Sequence, residues 1–344
     1  MDLDALWYGT GIAATVTRGA LAPLEAGYRG VVHVRNALFD AGWLRAQAPA
    51  LPVVAIGNLT VGGTGKTPVS AFVAARLRAL GGSPAVVMRG YGDDEPAVHR
   101  ILNPDVPVLT SADRVAGIRA ARAAGCDVAV LDDAFKHRWV QRTENLVLVS
   151  VEQWANGSRR CLPTGPYREP LSALRRASLV LVTRKDAGEE EAVALQAVLR
   201  RETPAVVGRV AIHPDTLRRA DGSGATEPLS RLYGARVLAI TAIGAPAAFA
   251  RQLEQLGAQV TLTAYPDHHR FSPADVRNMI ARAAGTELVV CTLKDAVKLT
   301  SLWPPRGQSL WYVSQRLEVE AGAPELDEAL RRLLRRRGSR SDVS

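Results

Sequence analysis

From residue 51 onward the chain alternates short, continuous apolar runs with alanine- and arginine-rich stretches of helical character. Val53–Ile56, Ala85–Met88, Val106–Leu109, Val128–Leu131, Leu146–Ser150 and Leu179–Thr183 are of strand length and mostly lack an in-out alternation. That is the pattern of strands covered on both faces. Strand and helix repeated in this way predict an α/β fold, a doubly wound and mostly parallel sheet, with ligands at the carboxyl ends of its strands. The polar, glycine-rich stretch Asp221–Pro228 reads as a boundary, and beyond it Val237–Ile240, Gln259–Leu262, Leu288–Cys291 and Leu310–Val313 predict a second, smaller α/β unit. The expected layout is an N-terminal segment over 1–47, a main unit over 48–220, a smaller unit over 228–325 and a basic tail over 326–344.

The first 47 residues are patterned differently. Leu3, Leu6, Trp7, Tyr8, Ile12 and Val16 precede Pro23, and Tyr28, Val31, Val32, Leu38, Phe39 and Trp43 follow it at near-helical spacing, with Arg18, Arg29, Arg35 and Arg45 among them. Aromatics and arginines on apolar-periodic segments suit a helix lying in a lipid headgroup interface. A helical hairpin packed on the main unit explains the same pattern, and these residues alone do not choose. No run of about 18 apolar residues is present to span a membrane as a helix. The start also lacks the basic region of a cleaved signal peptide.

Composition adds a bias rather than an answer. The 344 residues, 47% of them hydrophobic, suffice for a substantial core. A formal charge of +9 and a pI near 9.9 favour anionic partners: nucleic acid, acidic lipid or phosphorylated substrates. Part of that charge is the run Arg331-Arg332-Leu333-Leu334-Arg335-Arg336-Arg337, which serves equally as a solvated helix end. Cys126, Cys161 and Cys291 are odd in number and lack metal-type spacing, as expected of small buried residues in a reducing compartment.

The sharpest chemical signal follows the first strand of the main unit. Gly57-Asn58-Leu59-Thr60-Val61-Gly62-Gly63-Thr64-Gly65-Lys66-Thr67-Pro68 has the make-up of a phosphate-binding loop. Its glycines let backbone N–H groups turn around an anion, Lys66 can reach terminal phosphates, and Thr67 offers a hydroxyl to magnesium. Thr60 stands where the general pattern has glycine. A lysine at this position is pointed in a chain with few lysines and many arginines, and the two are not interchangeable there.

Three further polar clusters follow strands. Val128–Leu131 ends in Asp132 and Asp133, where a magnesium-holding acid belongs in a phosphate-loop protein, although paired acids at a strand end also cap helices. Arg89-Gly90-Tyr91-Gly92-Asp93-Asp94-Glu95-Pro96 contains acids able to take a proton from an acceptor hydroxyl, or forms a polar turn. Tyr265-Pro266-Asp267-His268-His269 could orient an imidazole for proton transfer. Adjacent histidines point apart and make poor joint metal ligands.

Taken in order, these elements together with Asp132-Asp133-Ala134-Phe135-Lys136-His137, Leu162-Pro163-Thr164-Gly165-Pro166-Tyr167-Arg168-Glu169 and Lys294-Asp295-Ala296-Val297-Lys298 closely resemble the tetraacyldisaccharide 4'-kinase family, over about residues 5–315. That family also carries threonine where the general loop has glycine. The resemblance implies two α/β/α units with the active site between them. It implies transfer of the ATP γ-phosphate to the 4'-hydroxyl of a tetraacylated glucosamine disaccharide 1-phosphate, forming lipid IV-A. It implies peripheral attachment at the cytoplasmic face of the bacterial inner membrane through the N-terminal helix, and no nucleic-acid partner.

Residue by residue, the resemblance makes Thr60, Val61, Gly62, Gly63, Thr64, Gly65, Lys66 and Thr67 the ATP loop. It places Thr67, Glu95, Asp132 and Asp133 around Mg2+, and makes Asp94 the general base with His268 as its partner. Arg114, Arg168 and Glu169 match positions near phosphate or lipid. The chain departs from the family in a shorter segment between Gly92 and Asp94, in Lys136 where glutamine is usual, and in Leu293 where glutamate is usual. The loop also resembles the deviant one of membrane-associated partitioning and septum-site ATPases, but those carry a signature lysine where this chain has Val61. For a guanine-binding motif, Thr183-Arg184-Lys185-Asp186 places its lysine one residue late.

Overall fold

The computed structural model describes residues 3–90 and 94–337. Tyr91, Gly92 and Asp93, and with them the shortened segment before Asp94, lie outside the described residues.

The chain opens with α1 (Leu3–Tyr8) and the long α2 (Ile12–Asp40). Pro23 does not break α2. Its ring sits on the exposed face, so the helix forgoes one backbone hydrogen bond without a clash against packed neighbours. The docked face of α2 buries Glu25 and Val32, and Tyr28 Oη donates to the Arg168 carbonyl at 2.9 Å. The opposite face leaves Ile12, Val16, Leu24, Val31 and Val34 more than half exposed. No described helix is long and apolar enough to cross a membrane.

Next come β1 (Val53–Asn58), α3 (Lys66–Ala79), β2 (Pro84–Met88), α4 (Asp94–Leu102), β3 (Val108–Thr110), α5 (Arg114–Ala123) and β4 (Val128–Leu131). They are followed by β5 (Glu144–Ser150), α6 (Val151–Ala155), β6 (Leu179–Arg184), α7 (Glu189–Glu202), β7 (Val206–Arg219) and β8 (Thr226–Pro228). The remainder is β9 (Arg236–Thr241), α8 (Pro246–Gln255), β10 (Gln259–Ala264), α9 (Pro273–Arg282), β11 (Leu288–Cys291), α10 (Leu293–Leu299), β12 (Leu310–Ala321) and α11 (Ala323–Arg335).

The described residues divide into two compact units, the first from 3–90, 102–211 and 317–337, the second from 94–101 and 212–316. In the first, the strand order is β3-β2-β4-β1-β5-β6-β7, and every pairing is parallel. The central strands β1, β2 and β4 are wholly buried, as their unbroken apolar runs require. Helices cover the sheet with side chains such as Leu77, Ile118 and Leu199, each burial contributing about 1.5–3 kcal/mol. Asp113 caps α5 by accepting from the N–H groups of Val115 and Ala116.

The second unit orders its parallel strands β10-β9-β11-β12. Ser272 and Asp275 form a capping box at α9. Asp221–Pro228 is not a linker between units. It makes the turn of a hairpin in which β8 returns antiparallel to β7, Asp221 capping the turn through the Ser223 N–H at 3.0 Å. The expected layout also put the acids of α4 in the main unit, whereas α4 packs with the second. All three cysteines are free and buried.

Candidate active site

β1 ends at Asn58, and the loop that follows is shaped by its glycines and by bonds from outside it. Gly57 has no room for a side chain: a Cβ there would sit 2.6 Å from the Phe135 nitrogen, so glycine lets the segment after β4 close against β1. Gly62 and Gly65 adopt φ of 105° and 84°, a left-handed backbone that favours glycine. The Val61 carbonyl accepts from Gln153 Nε2 at 3.0 Å, that of Gly63 from Lys185 Nζ at 3.2 Å, and that of Thr64 from Thr183 Oγ1 at 2.9 Å. Fixing these carbonyls fixes the peptide planes, so the loop is set before any ligand arrives.

Thr60 is explained by the same framework. Its hydroxyl donates to Gln153 Oε1 at 2.5 Å and accepts from Asn58 Nδ2 at 3.3 Å, tying the loop to α6. It is buried, and these bonds make it part of the loop's framework. Thr64 Oγ1, also buried, has no hydrogen-bond partner among the described residues.

Charge gathers beside this loop. Lys66 opens α3, with Nζ 3.3 Å from Asn58 Oδ1, 3.4 Å from the Gly62 carbonyl and 3.7 Å from Asp133 Oδ1. Arg168 places Nη2 2.7 Å from Asn58 Oδ1 and 3.0 Å from Asp133 Oδ1, with Nη1 3.3 Å from Asp133 Oδ2. Burial works against a charge on Asp133, yet Lys66 and Arg168 outweigh it and hold the carboxyl below its ordinary range. Asp132 points elsewhere: buried, it accepts from Ser70 Oγ at 3.0 Å and from the Asp133 N–H at 2.8 Å. The turn this requires puts Asp133 at φ 46°, an uncommon backbone for a residue with a side chain.

The surrounding field is positive. Burial, then Arg168, lowers the Lys136 ammonium despite Asp133. His137 is pushed down to about 4, by burial first and then by Arg114 and Arg142, so it is neutral at pH 7. Arg114 is buried at the start of α5 and donates to the Ser111 carbonyl at 2.7 Å. An excess of fixed cations over acids at the carboxyl ends of parallel strands is an anion site.

In the second unit, α4 presents Asp94 and Glu95 in its first turn. His268 Nδ1 lies 3.5 Å from Asp94 Oδ2, while Nε2 is 3.9 Å from Asp267 Oδ2. The histidine sits at φ 59°, its N–H bonded to the Ala242 carbonyl at 3.2 Å. Asp295 anchors that contact from beneath: fully buried, it accepts from the Ala242 N–H at 3.1 Å and from Thr292 Oγ1 at 2.7 Å. Lys294 reaches Glu95 at 3.4 Å. His269 turns away, stacked on Tyr265 and 3.2 Å from Asp275, as adjacent histidines must.

With this geometry in view, the family model for tetraacyldisaccharide-1-P 4'-kinase matches residues 17–335. The chain belongs to the tetraacyldisaccharide 4'-kinase family. It is 38% identical over 361 residues to the tetraacyldisaccharide 4'-kinase of Anaeromyxobacter dehalogenans, covering 95% of this chain and 94% of that one. It is 34% identical over 355 residues to that of Halorhodospira halophila, covering 98% of each. A crystal structure of LpxK from Aquifex aeolicus in complex with ATP superposes with a TM-score of 0.74 at 26% identity, covering 92% of this chain and 99% of that one. A match of this extent leaves the regulatory-ATPase alternative unfavoured.

Within this family member the first unit brings together the loop, Lys66, Asp133 and Arg168, and the second brings Asp94 to His268. Glu169 is placed elsewhere. It is fully buried, bonded to Arg35 and Asn36 of α2 and to Arg176, so it docks the N-terminal helix and has no surface to offer a substrate. Glu95, expected among the magnesium acids, is ion-paired with Lys294. Asn58, Gln153 and Lys185 had drawn no role from sequence. Asn58 lies inside the loop motif, but the others reach the loop only through the fold.

Proposed function

We infer that this kinase transfers the γ-phosphate of ATP to the 4'-hydroxyl of a tetraacylated glucosamine disaccharide 1-phosphate, giving lipid IV-A in lipid A biosynthesis. The observation that carries this reading is the convergence of Lys66 and Arg168 on Asp133 beside a rigidly held phosphate loop. Phosphoryl transfer needs little covalent help from a protein, so fixed positive charge supplies most of the catalysis. Lys66 and Arg168, held ready by Asp133, turn to the phosphates when ATP binds. The acceptor oxygen attacks the γ-phosphorus, the bond to the β-phosphate oxygen breaks, ADP leaves, and the hydroxyl proton passes to Asp94. His268 orients that carboxylate.

Magnesium fits the donors present. Thr67 stands in the first turn of α3 and the Asp132-Asp133 pair at the end of β4. Mg2+ is usually held by one or two carboxylates beside phosphate oxygens and waters, so the lack of a three-acid cluster among the described residues is no obstacle. When bound, it would neutralise charge on the β- and γ-phosphates.

The exposed apolar face of α2 supports peripheral attachment to the cytoplasmic face of the bacterial inner membrane, where an acylated substrate resides. Incubating purified protein with ATP, magnesium and the tetraacyldisaccharide 1-phosphate in detergent should yield 4'-phosphorylated product, and no product overturns the kinase reading. Flotation with liposomes should weaken in Leu24→Asp/Val31→Asp, and unchanged flotation overturns the interfacial helix.

A further inference from the structure

A cavity of about 70 Å³ opens between the end of α2 and residues 170–176. Asn36 and Asp40 of α2 line it with His33, Ser172, Arg175 and Arg176. That volume holds several waters or one tetrahedral oxyanion.

The charges around it do not balance. Arg35 and Arg176 bind Glu169, and Arg138 binds Asp40 at 2.7 Å. Arg142 lies against the same group, donating to the Phe135 carbonyl at 2.9 Å and to the His137 carbonyl. Its guanidinium is pulled down to about 9 by burial and by Arg176 and Arg138, which shows how crowded the positive charge is. Glu169 and Asp40 are thus shared among Arg35, Arg138, Arg142 and Arg176 before Arg175 is counted. Arg175 and His33, exposed at the mouth, make no hydrogen bond or ion pair among the described residues. Buried N–H groups at Arg35 Nε and Arg176 Nε also lack acceptors among the described residues. Uncompensated cations and unmet donors around a cavity of this size call for a small polyvalent anion.

We propose that this pocket binds a phosphate group, and that an anionic membrane lipid carries it. The source rests on the interfacial reading of α2: its exposed stripe ends at Val34, beside His33 at the pocket's mouth, so a helix lying in the interface brings lipid headgroups to that mouth. The arginines then serve a second purpose besides docking α2, selecting a surface of negative headgroups.

The test uses the full-length protein and its Arg175→Ala/His33→Ala variant in flotation with vesicles of phosphatidylcholine alone or mixed with phosphatidylglycerol at low salt. Melting with and without inorganic phosphate is measured in parallel. The variant should lose about fivefold or more of the affinity for the anionic vesicles. Its binding to phosphatidylcholine and its turnover in detergent should match wild type. Equal preference for anionic vesicles in both proteins, with no phosphate-dependent rise in wild-type melting temperature, overturns the proposal. A phosphate-dependent rise lost in the variant, with flotation unchanged, keeps the pocket and overturns the lipid as its source. Loss of all binding to phosphatidylcholine would instead count against α2 as an interfacial helix, leaving the anionic comparison readable.

Discussion

Around the phosphate loop, donors from α6, β6 and the segment after it hold the carbonyls of Val61, Gly63 and Thr64, and two cations grip Asp133. Around Asp94 there is one imidazole, 3.5 Å away, more than half exposed, on a backbone that side chains rarely adopt. The contrast separates two demands of the reaction. Phosphates vary little in shape and reward a site fixed in advance. An acceptor hydroxyl arrives on a bulky lipid, and in the proposed mechanism the Asp94–His268 pair that takes its proton tightens when the substrate is present.

Substitutions on the two sides should therefore fail in different ways. Lys66→Met should lower turnover about a thousandfold and weaken ATP binding as well. Asp94→Asn should cost about as much in turnover while calorimetric ATP affinity stays near wild type. If Asp94→Asn abolishes ATP binding, the assigned base role is wrong.

Glu169 tests whether the rigid side extends to α2. Replacing it by Gln leaves Arg35 and Arg176 without their shared charge, which should cost about 3–5 kcal/mol in denaturant unfolding. The KM for the lipid substrate should change little in whatever protein remains folded. A large KM effect at unchanged stability would restore Glu169 as a substrate contact.

These two sides were unequally visible in the amino-acid order. Val53–Ile56 and Val128–Leu131 announce themselves because a strand buried on both faces must be apolar throughout, and the chemistry at their carboxyl ends follows from position alone. β7 was hidden: its burial is irregular over 14 residues, and Pro214, Asp215 and several arginines interrupt any run. Glu169 sits beside Arg168 in the chain but faces away from it, toward Arg35 far earlier in sequence, and no local pattern encodes that pairing. The membership of α4 in the second unit is likewise a matter of long-range packing.

On the acceptor side of the comparison, His268→Gln should lower turnover roughly ten- to a hundredfold, less than loss of Asp94, because the carboxylate remains but is no longer oriented. The pH profile separates orientation from proton transfer. If the imidazole only orients Asp94, the glutamine variant keeps the shape of the wild-type profile at a lower height. If a limb near the histidine range disappears, the imidazole itself moves a proton.

The smallest effect probes the positive field of the rigid side. His137 is held near 4 in the folded protein, against 6.5 for the free side chain, by burial and by Arg114 and Arg142. Because the folded value is depressed, the unfolded chain binds a proton between pH 6.5 and 4 that the folded protein refuses, and stability is lost as pH falls through that window. One proton changes stability by at most about 1.4 kcal/mol per pH unit, and solvent screening at this partly exposed ring lowers that figure. His137→Gln should therefore lose less stability than wild type between pH 6.5 and 4, read from denaturant midpoints across that range. ATP phosphates should ease the cationic crowding, raise the folded value toward 6.5 and so shrink the wild-type loss. Parallel curves for the two proteins would mean that the field at His137 is weaker than its arginine neighbours imply, and that the preorganised charge resides in Lys66 and Arg168 alone.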